Sequence, residues 1–372
     1  MNREDSMERD RNGRLPWAIV LLVIAFACAI AYSGALIYTR VSERTSFGNR
    51  QAVELDAVQQ LQTVGDGFVY YDGSYIAKVS DGANAKWSYM IGGGASFEAS
   101  DAGVAAWIGR MLTLIDGDSG VTSYSGNMDA DILSARVGKR YAAVLLEPEH
   151  DSTIVLMETG GRRVDSILLS DQTVIDYGFF YNDDLFWVMT LDTNGTVPSC
   201  TIQTYRPGVK MVGSISDTEQ IFYHAMFPTT QIICTGDTYI KSFTYNGTEF
   251  TDQRKLVYGW TLVDADEDSE NPIMAFVPNG QYDANSTMQD VRMIRGTVDQ
   301  TVRMPFGCNQ LIASGDRVYG FSSDGYVMIA QMGRQKVDAY PLNLSFDQVY
   351  GVTDAGVAVL GSGNTVYLVA LM

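Results

Sequence analysis

From about residue 57 to its end the chain repeats one strand-and-turn unit about eight times, every 36 to 48 residues or so. In the first copy Gly67–Gly73 leads into Tyr75–Ser80, then the pair Asp81-Gly82, then Ala85–Ile91. Gly103–Gly109, Met111–Ile115, Asp116-Gly117 and Val121–Tyr124 form the second. Arg317–Phe321, Ser323–Gly325, Tyr326–Ala330 and Lys336–Tyr340 form a late third clear copy. These runs are rich in β-branched and aromatic residues, and Gly, Asp, Asn or Ser bounds each of them, which is the pattern of short strands. Asp-Gly and Asn-Gly pairs favour tight hairpins because they tolerate positive φ. They recur at Asp66, Asp72, Asp81, Asp116, Asn194, Asn246, Asn279 and Asp324.

A leading strand before each hairpin sets unit starts near Ala57, Ser96, Ile132, Val174, Ile221, Thr261, Asn309 and Asp347. Units of that length match four-stranded blades, so the chain is expected to be all-β, a propeller of about eight four-stranded blades, with seven as the alternative count. A pair of sandwiches would show short strands without a fixed period. The last unit has room for only three strands. An open edge would invite pairing with another chain, so residues around Arg50–Asp56 are expected to supply the missing strand and close the ring.

Ahead of the repeat, Leu15 to Tyr38 is a run of 24 residues without a charged side chain. As a helix it would rise about 36 Å, enough to cross a hydrocarbon core of about 30 Å with some tilt. Trp17, Tyr32 and Tyr38 suit interfacial anchors. Arg3, Arg9, Arg11 and Arg14 precede the span, against Arg40, Arg44 and Arg50 after it. That bias favours a cytoplasmic N-terminus. The alternatives fit less well. A cleaved signal at Ala29-Ile30-Ala31 would have a shorter apolar core. A lipoprotein signal at Cys28 would need a small residue where Phe26 stands. The expected layout is therefore a cytoplasmic tail over 1–14, a transmembrane helix over 15–38, a linker over 39–50 and a propeller over 51–372, lying outside the cytoplasm.

Beyond Arg40 there are 21 Lys and Arg against 40 Asp and Glu, a net of −19. Such a surface repels phosphate backbones and excludes nucleic acid as a natural partner. It suits cations, basic proteins or basic peptides. Cys200, Cys234 and Cys308 are too scattered for a zinc site and read as small buried strand residues.

Tyr75–Tyr89, with its strand, Asp/Gly turn and Trp87, resembles the quinoprotein-like and WD40-like propeller repeat. The resemblance implies that Trp87 docks blade on blade. Leu112–Tyr124 keeps the turn but carries Ser123 or Tyr124 where the tryptophan would fall, and later units lose the pattern. In overall layout, one N-terminal span and then a propeller, the chain is similar to the bacterial family called domain of unknown function 5711. That similarity implies an anchored propeller of unassigned activity.

Catalytic motifs are sparse. His150 follows Glu147-Pro148-Glu149 in a turn, and His224 lies in the strand-like Phe222–Met226. No Gly-x-Ser-x-Gly elbow accompanies them, so both read as structural or surface residues. Asp264, Asp266 and Asp268 match the first oxygen positions of a calcium loop. The match then fails at Ser269 and Ala275, which makes Asp264–Glu270 a solvated blade loop. Asp183-Asp184 and the Glu147/Glu149 pair read as turn acids. The sequons at Asn194, Asn246, Asn285 and Asn343 read first as turns, and Trp107, Trp187 and Trp260 as blade packing. No catalytic, cofactor-binding or metal-binding residue is singled out. The sequence thus favours a membrane-anchored, non-catalytic binding or scaffolding module with a protein or envelope-polymer partner. The alternatives are an envelope enzyme, or a ligand sensor, using carboxylates or a quinone-like cofactor in the propeller funnel.

Overall fold

The computed structural model describes residues 48–147, 151–181, 184–194, 198–281 and 287–371. Alternating apolar strands and tight turns fold into eight antiparallel four-stranded sheets, seven built from consecutive strands and one that joins the first strand to the last three. Blade 1 holds β2 (Gln60–Val64), β3 (Gly67–Tyr71), β4 (Tyr75–Ser80) and β5 (Ala85–Met90), preceded by β1 (Arg50–Glu54). Blade 2 holds β6 (Ser96–Ser100), β7 (Gly103–Ile108), β8 (Met111–Asp116) and β9 (Thr122–Asn127). Blade 3 holds β10 (Ile132–Val137), β11 (Tyr141–Leu146), β12 (Ser152–Glu158) and β13 (Arg163–Leu169). Blade 4 holds β14 (Thr173–Phe179), β15 (Phe186–Asp192), β16 (Ser199–Arg206) and β17 (Lys210–Ser216). Blade 5 holds β18 (Phe222–Met226), β19 (Ile232–Gly236), β20 (Tyr239–Phe243) and β21 (Lys255–Leu256). Blade 6 holds β22 (Trp260–Ala265), β23 (Met274–Pro278), β24 (Met288–Arg295) and β25 (Val298–Cys308). Blade 7 holds β26 (Gln310–Ser314), β27 (Arg317–Ser322), β28 (Tyr326–Gln331) and β29 (Asp338–Pro341). Blade 8 holds β30 (Gln348–Val352), β31 (Val357–Ser362) and β32 (Thr365–Ala370), and it is completed by β1.

The blade count is eight, not seven. Every leading strand begins within three residues of its expected start, from Gln60 in blade 1 to Gln348 in blade 8. Closure is also as expected: Arg50–Glu54 pairs antiparallel with Val369–Thr365. Leu55 N–H donates to the Asn364 carbonyl at 3.0 Å, and Asn364 Nδ2 donates to the Asp56 carbonyl at 3.1 Å. The first 47 residues, including the expected span over 15–38, lie outside the described residues. Among the described residues no helix is long and apolar enough to cross a membrane.

First strands of neighbouring blades touch, β2 with β6 and β30, and β22 with β26, so these strands surround the axis. Their inner edges would leave backbone groups unpaired, and side chains from the preceding blade satisfy them. Gln60 Nε2 donates to the Phe97 carbonyl at 2.7 Å, and Ala99 N–H donates to Gln62 Oε1 at 2.7 Å. Gln310 Nε2 likewise donates to the Val349 carbonyl at 3.0 Å.

The apolar core is not one mass but a set of clusters lodged mainly between adjacent blades, such as Val69, Ile76, Val104 and Ile115 between blades 1 and 2. Trp87 docks on blade 2 as the resemblance implies, its Nε1 donating to the Gly117 carbonyl at 3.0 Å. Cys200, Cys234 and Cys308 are buried strand residues, as the sequence suggests.

Candidate functional site

Five of the eight first strands carry a bulge, with Leu133, Ile175, Tyr223, Val263 and Tyr350 as the extra residue. A bulge bends a strand and re-aims the next side chain. In blades 4, 5 and 6 that next residue is titratable: Asp176, His224 and Asp264. The axial channel therefore acquires polar groups from strands that otherwise read as apolar.

At the end where first strands turn into second strands, the channel mouth is acidic. Asp66, Asp101 and Asp354 lie on these turns in blades 1, 2 and 8. The much longer β22–β23 loop of blade 6 adds Asp266, Glu267 and Asp268. Asp264 Oδ2 accepts from Ala313 N–H at 2.6 Å, and Asp266 Oδ2 accepts from Gly315 N–H at 3.1 Å, which pins the start of the loop to blade 7. Glu270 Oε2 accepts from Thr229 N–H at 3.1 Å and from Thr229 Oγ1 at 2.6 Å, which ties its far side to blade 5. Glu267 and Asp268 are held between these two anchors, over the mouth.

Positive charge at the mouth is largely committed. Arg136 reaches Glu98 at 3.3 Å and Asp176 at 2.9 Å, and its guanidinium lies over the Tyr177 ring. Lys78 pairs with Asp66 at 2.7 Å. His224 Nε2 faces Glu267 Oε1 at 3.4 Å. Among the described residues, Asp268 and Asp354 have no ion pair.

This shortage of cations shows in the ionisation of the carboxyls. Enclosure in the channel, with the nearby charges of Asp176 and Asp268, pushes Glu267 up to about 7. Enclosure first, then Asp101, Asp266 and Asp354, pushes Asp268 up to about 6. Burial likewise raises Asp264 to about 6, against the opposing pull of the Ala313 N–H. Burial holds His224 below the ordinary imidazole value. The Glu267 side chain keeps 61% of its surface open, but it opens onto a channel walled by the ring, so low-dielectric protein still surrounds it.

A cavity of about 460 Å³ occupies the mouth between blades 2 to 5 and the blade 6 loop. Glu98 and Asp101 from blade 2 and Glu267 and Asp268 from the blade 6 loop line it, together with Arg136 and Lys139 of blade 3. Blades 4 and 5 contribute aromatic residues to the lining: Phe179, Phe180, Trp187 and Phe227. Trp187 stacks on Phe227 with ring centroids 3.8 Å apart, and Phe180 meets Phe227 edge-on at 5.3 Å. Gly138 is required here, because a Cβ would fall 2.8 Å from the Phe179 ring.

Asp264–Glu270 runs from the end of β22 into a blade loop in which Glu267, Asp268 and Glu270 are exposed, as the sequence reading has it, but its first two acids are not free in solvent. The bulge in β22 turns Asp264 into the channel, and backbone donors of blade 7 capture Asp264 and Asp266. His224 is a channel residue opposite Glu267 rather than a bland strand histidine, and Trp187 lines the cavity while it packs blade 4. Trp107 and Trp260 pack against blade cores as expected. Asn246 uses its side-chain oxygen within its own turn, accepting from Thr248 N–H at 3.4 Å. His150, Glu149, Asp183 and Asn285 lie outside the described residues. Among the described residues no three His, Cys, Asp or Glu side chains converge closely enough to hold a metal ion.

The fold is that of an eight-bladed β-propeller, and solved propellers of the WD40 and BamB kinds superpose on it. BamB from Moraxella catarrhalis superposes with a TM-score of 0.51 at 11% identity, covering 86% of this chain and 96% of that one. The C-terminal WD40 domain of Sif2 gives 0.56 at 13% identity, covering 85% and 97%. The WD40 domain of SCAP from fission yeast gives 0.55 at 9%, covering 87% and 98%. At such identities the likeness is one of fold. No family model matches the chain, and no curated protein matches it in sequence.

Proposed function

We propose that this protein is a binding module that engages a protein partner through the acidic mouth of its channel. One observation carries the reading. The 460 Å³ cavity is lined by both carboxylates and aromatic residues, as receptor sites are when they combine apolar area with a few oriented polar groups. Within this proposal the 15–38 span anchors the chain in a membrane, with residues 1–14 cytoplasmic and the ring outside. The layout then agrees with the anchored propellers of domain of unknown function 5711. Affinity capture with the full-length chain, wild type beside the Glu267→Gln/Asp268→Asn variant, tests the binding reading. The same partner should be recovered with the first and lost with the second. Equal recovery places binding elsewhere on the ring.

A catalytic reading draws on a different observation: Glu267 and Asp268 hold protons close to neutrality, as general acids do. It predicts turnover on a panel of glycosides that disappears in Glu267→Gln. Lack of turnover across the panel leaves the binding reading alone.

A further inference from the structure

We infer that the cavity at the channel mouth receives an arginine side chain, presented beside an aromatic residue on a peptide segment of the partner. The inference rests on the binding reading above and specifies what the cavity recognises.

Glu98 and Asp176 are answered by Arg136. Among the described residues Asp101 accepts a backbone donor, Gly65 N–H at 2.9 Å, and has no ion pair. Glu267 faces a histidine that burial keeps from protonating readily, and Asp268 has no ion pair among the described residues. Of the lining carboxylates, Asp101, Glu267 and Asp268 are thus left to meet an incoming cation, and Lys139 sits beside them on the rim.

The spacing of the acids narrows the kind of cation. They come from opposite sides of the ring, blade 2 and blade 6, and no three converge enough to share a small metal ion. A cation that addresses them together must be extended and carry several donors. Guanidinium offers five N–H donors in a planar fork, is weakly hydrated and stays charged at any relevant pH. An ammonium offers a compact, strongly hydrated point charge and would reach fewer of them.

The aromatic lining explains why the ligand is a peptide rather than a lone cation. Phe179 is half-buried in the cavity lining and meets the Phe186 ring edge-on at 5.6 Å, while Phe180, Trp187 and Phe227 line the cavity from the adjoining blade 4–5 cluster. A guanidinium between carboxylates and rings gains both charge pairing and contact with a π face. A neighbouring aromatic residue of the same segment covers the part of Phe179 that remains open.

The probe is a fluorescent nonapeptide of glycine and serine with a central Phe-Arg pair, titrated by anisotropy into the full-length chain. Its counterpart replaces arginine by citrulline, which keeps the shape and removes the charge. The citrulline peptide and the Asp268→Asn variant should each weaken binding at least tenfold. Phe179→Ala should weaken it severalfold, and Asp324→Asn, on the opposite rim, should leave it unchanged. Thermal melts of each variant establish that the ring is folded. Binding should also tighten as pH rises from 5 to 8, because the cation favours the ionised carboxylates. The inference is overturned if arginine and citrulline peptides bind alike, if neither binds, if Asp268→Asn has no effect, or if free arginine competes as well as the peptide. The binding reading fails separately, when capture from cells yields no partner that the Glu267→Gln/Asp268→Asn variant loses.

Discussion

At the scale of single residues, the mouth is held in an electrostatically costly state. Gly65 lies between two acids: a Cβ there would fall 2.7 Å from Asp354 Oδ2 and 2.9 Å from Asp101 Oδ1. Enclosure in the channel first, and neighbouring carboxylates second, keep Glu267 and Asp268 protonated in the folded ring up to about 7 and about 6. An unfolded chain releases the same protons near 4. Between those limits the native state binds more protons, so their contribution to stability falls as pH rises and levels off above the folded values. Asp268→Asn removes that cost. The variant should melt about 1 to 2 °C above wild type at pH 8, with the gap closing towards pH 4. An unchanged or lower melting temperature at pH 8 would contradict the description of the mouth. The acids themselves were visible in the sequence, but not their placement. Read along the chain, Asp264–Glu270 is one charged loop. Its neighbours Asp101 and Asp354 lie far away in sequence, and only ring closure brings them to it.

Between elements, one contact recurs with different side chains. Just past the bulge in the fourth strand of blade 1, Trp87 packs on Gly120 in the turn of blade 2, where a Cβ would fall 2.5 Å from the ring. Tyr124 holds the same place in blade 2, against Gly161 of blade 3. Blade 3 uses the bulge residue itself, Val164, against Gly208. In blade 4 the residue past the bulge is Gly213, and the backbone at Tyr245 and Asn246 fills the space that a side chain would need. The docking position thus persists while its residue changes. That is why a tryptophan-based repeat fades from the sequence after its first unit. Trp87→Ala empties a packed site and removes one of the two donors to the Gly117 carbonyl, which Lys78 Nζ still reaches at 3.1 Å, at a cost of about 3 kcal/mol. Gly213→Ala should be at least as damaging, since its methyl would lie 2.3 Å from the Tyr245 carbonyl oxygen. Equilibrium denaturation checks both, and a Gly213→Ala variant as stable as wild type would contradict the interblade packing. The first-strand bulges do leave a trace. Val174-Ile175-Asp176, Phe222-Tyr223-His224 and Leu262-Val263-Asp264 each place two apolar residues before a polar one, breaking the alternation of a plain strand.

For the whole ring, the period follows from local signals, because seven blades are written in consecutive residues and each hairpin carries its own turn chemistry, and the closing strand follows from the three-stranded last unit. Function is less local. The cavity draws on five blades, and no single unit contains enough of it to be recognised. The central claim is that this mouth is the surface at which a partner binds. A photo-crosslinking side chain placed at Phe179 in the full-length chain, with a second placed at Tyr258 on the opposite rim, tests it most directly. The account predicts crosslinks from position 179 to an arginine-bearing segment of one protein, and their loss in the Glu267→Gln/Asp268→Asn background. Crosslinks to a partner from position 258 alone, with none from 179, would contradict it.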